Sequence, residues 1–448
     1  MKKAIFLSLA FLSLATTALA CSATARCARH AAPVATVQQH PPYSVWMVES
    51  QGLEWVTHDW DYVPGLVAKA VIKTWTQYPE NTHFFDAVRR HADLAIRRDG
   101  RIRVGESNID DLAPGKILFE LYHQMKKTGD TAAADRYRFA VDYLVNKLKY
   151  DHARIEAPLP GVGGFWHKLI YPNQMWLDGL YMGPALYAEW QANFAPEDME
   201  AWSDIAKQFK IIHQFTYNSE TGLNFHGWSA DPTCPQSFWA KQEEAFKGTS
   251  KEVWGRGVGW YFAALADVLE FMPPSHPDYP EIVRIFNEVA TGLKNVQDPN
   301  TGVWTQLLQY PARTVFYAEN YTAYPHYEGT KENYFESSAS SMFAYGFLKG
   351  VRLGKLDREI FEPVARRAYH GVIETFISGQ ETGVISINQI CLSAGLGPAN
   401  KPARDGSAEY YLFFEVGREA GDIVSNEGKA IGPFIMASLE YEQFFLGK

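Results

Sequence analysis

Apolar positions recur at helical spacing along most of the chain. Gly65–Trp75 is almost continuously apolar, whereas His83–Ile96 sets an apolar stripe against a wet face carrying Arg89, Arg90 and Asp93. The same contrast returns in later pairs. Pro114–Lys127 is followed by Ala132–Leu148, Asn173–Asn193 by Pro196–Phe215, Gly257–Phe271 by Tyr279–Val296, and Ser337–Leu353 by Asp357–Ile377. A last helix is predicted over Lys429–Phe445 and a first over Tyr43–Gly52, and these two would pair to close a ring. In each pair one helix is small and apolar and the other amphipathic. A helix that is apolar all round is buried, and an amphipathic one faces water on one side. Six hairpins, recurring roughly every fifty residues, predict an all-α fold: an (α/α)6 barrel with buried helices inside a ring of surface helices. Residues 42–448 then form a single domain. The segments 150–172, 218–255, 297–336 and 378–428 are rich in Gly, Pro and aromatic residues. Loops of this length in a compact domain are usually functional, and these would form one mouth of the barrel.

The first twenty residues follow a different pattern. Lys2-Lys3 precedes the apolar run Ala4–Leu14, and Ala18-Leu19-Ala20 supplies small residues for a signal peptidase, so residues 1–20 are expected to be a signal peptide. Cys21 follows directly, which leaves lipid anchoring as an alternative. Residues 21–41 form a flexible lead-in. The expected location is outside the cytoplasm, periplasmic or secreted, and no later stretch is apolar enough to span a membrane.

Composition narrows the classes further. The chain is 46% hydrophobic and 14% aromatic with a net charge of −9, which suits a globular protein without a nucleic-acid-binding stripe. Cys21, Cys27, Cys234 and Cys391 fit no zinc or redox spacing. A Cys234–Cys391 disulfide and two separate thiols both remain open. No metal motif, phosphate loop or nucleophile elbow is present, so no cofactor is expected.

The densest candidate chemistry lies in Gly163–Met182, where Trp166, Tyr171, Trp176 and Tyr181 surround one carboxylate, Asp178, with His167-Lys168 upstream. Flat apolar surfaces with a few polar groups suit a sugar pocket. Asp178 falls in the apolar member of its pair, between Trp176 and Tyr181. Burial should raise its pKa, as suits a general acid; the alternative is an acid tied to local backbone. Asp110 and Asp111 precede another buried helix and read either as caps or as a second pocket acid. Were Asp110 close to Asp178, like-charge repulsion would hold a proton on the pair. His226 sits among aromatics in a loop. Arg256, at the start of Gly257–Phe271, would point a guanidinium into the mouth to hold a carboxylate bidentately, or else serve a structural pair. Tyr62 and Trp254 are further edge-of-barrel aromatics, and stacking on Trp176 or Trp254 would hold a sugar ring.

Several blocks resemble a known family. Gly164-Phe165-Trp166-His167-Lys168 and Trp176-Leu177-Asp178-Gly179-Leu180-Tyr181-Met182 are similar to the signature of glycoside hydrolase family 105, the unsaturated rhamnogalacturonyl hydrolases. Trp254-Gly255-Arg256-Gly257, Glu336–Ser340 and Arg404–Tyr411 resemble further family blocks in the expected order. The resemblance spans roughly residues 43–446 and implies an (α/α)6 barrel. It implies a substrate ending in a 4,5-unsaturated uronic acid, left by a polysaccharide lyase and hydrated across its C4=C5 vinyl ether. It implies Asp178 as the acid that protonates C4, Asp110 as the second pocket carboxylate, and Tyr62, His167, Lys168, Trp176, His226, Trp254 and Arg256 as pocket lining. Where family members carry His after the second carboxylate, this chain has Asp111. The expected activity is removal of unsaturated galacturonate from rhamnogalacturonan fragments. The alternatives are an unsaturated glucuronyl hydrolase on other lyase-cleaved glycans, with the same pocket chemistry, and a non-catalytic carbohydrate-binding barrel. Oligomeric state is not legible.

Overall fold

Asp61 accepts a hydrogen bond from Val63 N and so starts the helix Tyr62–Gln77, which is buried along most of its first three turns. This is the local pattern of the inner ring: a polar side chain caps an end, and a run of small and apolar residues then meets neighbours on both sides. In the computed structural model, which describes residues 40–57, 59–317, 329–413 and 422–447, residues Pro41–Lys448 form one unit. Around the axis, Tyr62–Gln77 packs on the 3-10 turn Ile109–Ile117, which leads into Leu118–Thr128; then come Leu177–Met182 with Pro184–Phe194, Gly255–Phe271, Ser337–Arg352 and Gly428–Leu446, which returns to Tyr62–Gln77. Outside lie Thr82–Ala95, Thr131–Asn146, Met199–Thr216, Tyr279–Asn295 and Arg358–Phe376. The sixth outer position is taken by the helical stretch running from Tyr43 to Trp55, which packs on Gly428–Leu446 and closes the ring as the sequence predicts.

One inner element departs from expectation. The stretch read as a helix from Asn173 begins instead as a strand, Gln174–Trp176, paired antiparallel with Gly227–Ser229. Helix starts only at Leu177 and is interrupted at Gly183-Pro184. Gly183 has no room for a side chain, since a Cβ there would lie 2.7 Å from Ile109 Cδ1. Pro184 has no N–H to continue the ladder. The long segments contain two-stranded ribbons and a short helix, Ala408–Phe413, that periodicity did not reveal. No disulfide joins Cys234 and Cys391, so of the two arrangements the separate thiols are found. The expected signal peptide, with Cys21 and Cys27, lies outside the described residues. Among the described residues no helix is long and apolar enough to cross a membrane, and no cluster of three or more His, Cys, Asp or Glu side chains is placed to hold a metal.

Candidate active site

Two backbone zippers assemble the site. In the first, Ile109 N donates to His167 O at 3.3 Å and Leu169 N to Ser107 O at 2.9 Å, laying 167–169 against the entry of the 3-10 turn. Lys168 Nζ consequently sits 2.6 Å from Asp110 Oδ2, with His167 Nε2 at 3.7 Å from Asp110 Oδ1. In the second, strand Gln174–Trp176 pairs with Gly227–Ser229, and Leu177 N donates to His226 O at 3.0 Å. This locks the first turn of Leu177–Met182 against His226. His226 Nε2 lies 3.1 Å from Asp178 Oδ2, and Nδ1 lies 2.7 Å from the Tyr411 hydroxyl. His167 N donates to Gln174 O at 2.8 Å and joins the two zippers.

Trp176 separates the two acid pairs. It stacks on His167 at 4.3 Å and presents an edge to His226 at 5.5 Å. The accessible groups are polar: the side chains of Lys168, Asp178 and Asp110 keep 28%, 13% and 11% exposure, whereas His226 has none. The pocket is therefore a polar opening walled by buried rings.

The environments push the two acids apart. Burial raises the pKa of Asp110; Lys168 opposes this by charge and hydrogen bond, Asp178 adds to it, and the result is a raised value. For Asp178, burial also raises the pKa, but the hydrogen-bonded imidazole of His226 outweighs it and holds the carboxyl below its ordinary range. This reverses the expectation of a raised Asp178, because the imidazole that compensates burial comes from a loop 48 residues away in sequence. Burial, with Lys168 beside it, keeps His167 well below the usual imidazole range, so its ring is neutral. Burial and then Asp110 raise Tyr62 well above the phenol range, so its hydroxyl keeps its proton.

The adjacent acids at 110 and 111 have separate tasks. Asp111 Oδ2 accepts from Gly105 N and Oδ1 from Asn108 Nδ2, both at 2.7 Å, so it braces the loop. The cap of the turn is Asn108, whose Oδ1 accepts from Asp110 N. Asp110 is left to face Lys168 and His167.

Three expected pocket residues are placed differently from the reading above. Arg256 is 1% exposed; its Nη1 donates to Ser338 Oγ at 3.3 Å and to Cys391 O, and Nη2 donates to Leu392 O. Its guanidinium staples the 390–392 loop to helix Ser337–Arg352 instead of standing open in the mouth, because the loop's carbonyls fall within reach of the fork. Trp176 and Trp254 offer no open face for a sugar. Trp176 is covered by His167 and Tyr171, and Trp254 by His226 at 4.6 Å and Tyr411 at 5.9 Å. They are the wall that holds the two histidines. Tyr411 was missed as a site residue; its only signal was its place at the end of the Arg404–Tyr411 block.

Residues 44–445 match the model of Glycosyl Hydrolase Family 88. A glycoside hydrolase from family 105 of C. acetobutylicum is 36% identical, with a TM-score of 0.74 over 90% of this chain and 100% of that one. Protein Atu3128 of Agrobacterium fabrum is 30% identical over 253 residues, 56% of this chain and 93% of its own. An unsaturated 3S-rhamnoglycuronyl hydrolase of Alteromonas sp. is 28% identical over 137 residues, 30% of each chain. The chain belongs to glycoside hydrolase family 88/105, the unsaturated glucuronyl and rhamnogalacturonyl hydrolases.

Proposed function

We propose that the protein removes 4,5-unsaturated galacturonate from the non-reducing end of lyase-generated rhamnogalacturonan fragments, by hydration of the C4=C5 vinyl ether. The observation that carries this reading is the juxtaposition of Asp178, held by His226, with Asp110, held by Lys168, near enough that the charge of Asp178 acts on Asp110. A vinyl ether needs a proton at C4 and water at C5. Asp178 is the carboxyl acid that supplies the proton. Positive charge then develops at C5 and the ring oxygen, where the two carboxylates stabilise it. Water adds at C5 and returns its proton to Asp178, so the acid is regenerated. The hemiketal opens to a ketone at C5, and the hemiacetal at C1 collapses to an aldehyde and releases the neighbouring sugar. Lys168 is the cation that faces the uronate carboxylate; Tyr62 and neutral His167 donate to its oxygens. The Lys2–Ala20 pattern supports export of the enzyme.

The galacturonyl preference rests on the family 105 blocks and on the 36% identical family 105 barrel. The Alteromonas relative is an unsaturated 3S-rhamnoglycuronyl hydrolase, and since glycuronyl covers both uronic acids it supports a second reading in which the end sugar is a glucuronyl residue as well as the first. The deciding experiment offers purified protein unsaturated galacturonyl-rhamnose and unsaturated glucuronyl disaccharides and follows loss of the alkene's ultraviolet absorbance. Turnover confined to the glucuronyl substrates would overturn the rhamnogalacturonan reading. Binding without turnover of any of them would make the barrel a carbohydrate-binding module.

A further inference from the structure

The Tyr411 side chain is fully buried, and among the described residues its hydroxyl meets a single partner, His226 Nδ1, at 2.7 Å. Burial holds its pKa well above the phenol range, so the hydroxyl keeps its proton. A buried O–H left without an acceptor is destabilising, and Nδ1 is the acceptor within reach. The hydroxyl is itself fixed. Tyr411 N donates to Ser407 O at 3.2 Å, Tyr411 O accepts from Gln306 Nε2 at 3.2 Å, and the ring lies nearly parallel to Trp254. Trp254 Nε1 donates to the same Gln306 side chain, through Oε1 at 3.2 Å. The whole assembly is buried, so the donor cannot swing to another acceptor.

From this the geometry assigns Tyr411 as a positioning residue: by donating to His226 Nδ1 it fixes the imidazole in the Nε2–H form and so determines which oxygen of Asp178 carries the working proton. The inference rests on Asp178 acting as the acid. With Nε2–H donating to Oδ2, a proton on the carboxyl belongs on Oδ1, the oxygen left for C4. In the opposite tautomer Nδ1 carries the proton, and Nε2 presents a lone pair to Asp178. A protonated Asp178 would then donate from Oδ2 into the ring, and its proton would be turned away from the alkene. An ionised Asp178 by itself favours Nε2–H. The second donor matters at the moment the acid is neutral, which is the state the reaction uses.

The test has two arms. In the first, Tyr411→Phe keeps the ring against Trp254 and removes only the hydroxyl. With unsaturated galacturonyl-rhamnose or a glucuronyl disaccharide, kcat is expected to fall ~10–100-fold, part of the roughly 10²–10⁴-fold that a positioned general acid contributes, with KM nearly unchanged. The second arm reads the ring directly by two-bond proton–nitrogen spectra of protein labelled with nitrogen-15 histidine, with His226 assigned by its loss in His226→Gln. In Asp178→Asn, where the amide stands for the uncharged acid, Nε2 is expected to carry the proton and Nδ1 to be bare. In Asp178→Asn/Tyr411→Phe the two forms are expected to mix. A bare Nε2 in Asp178→Asn, or wild-type kcat in Tyr411→Phe, would overturn the assignment. If the wild type turns over no unsaturated disaccharide, the proposed reaction fails, while the spectra still decide the tautomer. If Tyr411→Phe does not fold, the spectrum of Asp178→Asn alone decides it.

Discussion

His226 Nε2 stands 3.1 Å from Asp178 Oδ2, and this contact reverses what burial alone would do to the acid. Removing the acid while keeping its shape should therefore separate chemistry from binding. Asp178→Asn is expected to lower kcat at least ~100-fold, the range for losing a general acid, with disaccharide binding retained by calorimetry. Turnover near the wild-type level would remove Asp178 from its role.

The same contact sets a pH signature. In the free protein His226 holds Asp178 low. A bound uronate brings a second anion beside the carboxyl and raises its affinity for a proton. The reaction needs that proton, so activity is lost as pH rises through the carboxyl's pKa. The basic limb should lie at higher pH for kcat, which reports the complex, than for kcat/KM, which reports the free enzyme. Coincident limbs would mean that the substrate's carboxylate does not reach Asp178.

Lys168 is more exposed than Asp110 or Asp178, and its ammonium lies 2.6 Å from Asp110. Lys168→Met keeps much of the stem and removes the charge. Titrating the inactive Asp178→Asn protein with disaccharide, with and without Lys168→Met, is expected to show ~10-fold weaker binding or more, about 1.4 kcal/mol. The change should shrink with salt, as a partly exposed charge contact does. Unchanged affinity would assign the uronate to another cation.

The barrel was legible because its evidence is periodic: Gly428–Leu446 and Tyr62–Gln77 carry apolar positions all round, and only a closed ring buries such helices. Asp178 was legible because it is the single acid in an aromatic stretch. What could not be read was pairing across loops. Nothing near Asp178 in sequence announces His226, and nothing near His226 announces Tyr411, 185 residues away. The Trp176 error has the same origin: the sequence shows an indole, but the His167 and Tyr171 rings that cover it arrive through the backbone zippers. Asp111, which departs from the family pattern, was readable only as a second acid until its oxygens were found bracing Gly105 and Asn108.

Arg256 gives a prediction in which stability and binding separate. Its donors reach Ser338, Cys391 and Leu392, and a lysine has neither the fork nor the reach to serve all three. Arg256→Lys is expected to lower stability by ~2 kcal/mol or more, since hydrogen bonds from a buried charged group are lost, and thermal denaturation would show it without substrate. An unchanged melting midpoint with a raised KM would return Arg256 to the role of direct carboxylate ligand.

At the end of the barrel away from Asp178, a cavity of about 450 Å³ is lined by Lys69, Lys116, Glu189, Asp267, Lys349 and Arg352, among others. Lys69 pairs with Glu120 and Glu189, Lys349 with Asp267 and Glu270, and Arg352 with Glu440. Lys116 differs: its Nζ donates to a backbone carbonyl, Tyr181 O, at 2.6 Å. Burial, the largest effect, lowers its pKa to about 7, against the pull of Asp267 and Glu189. The unfolded chain keeps its proton up to an ordinary lysine value of 10.5, so between about 7 and 10.5 the unfolded state binds more protons than the folded one. Stability linked to Lys116 therefore rises with pH through that window, by up to ~1.4 kcal/mol per pH unit, and below it the cost of burying the charge is complete. Lys116→Met fills much of the same volume without the ammonium. It is expected to be more stable than the wild type at neutral pH by ~1–4 kcal/mol, the range for replacing buried ionic groups with apolar ones. The advantage should shrink as the pH of the urea titration is raised from 7 toward 10. Measuring the variant against the wild type at each pH cancels the other titrating groups. A constant difference, or a variant that is less stable at pH 7, would show that Lys116 is charged and compensated in the folded barrel.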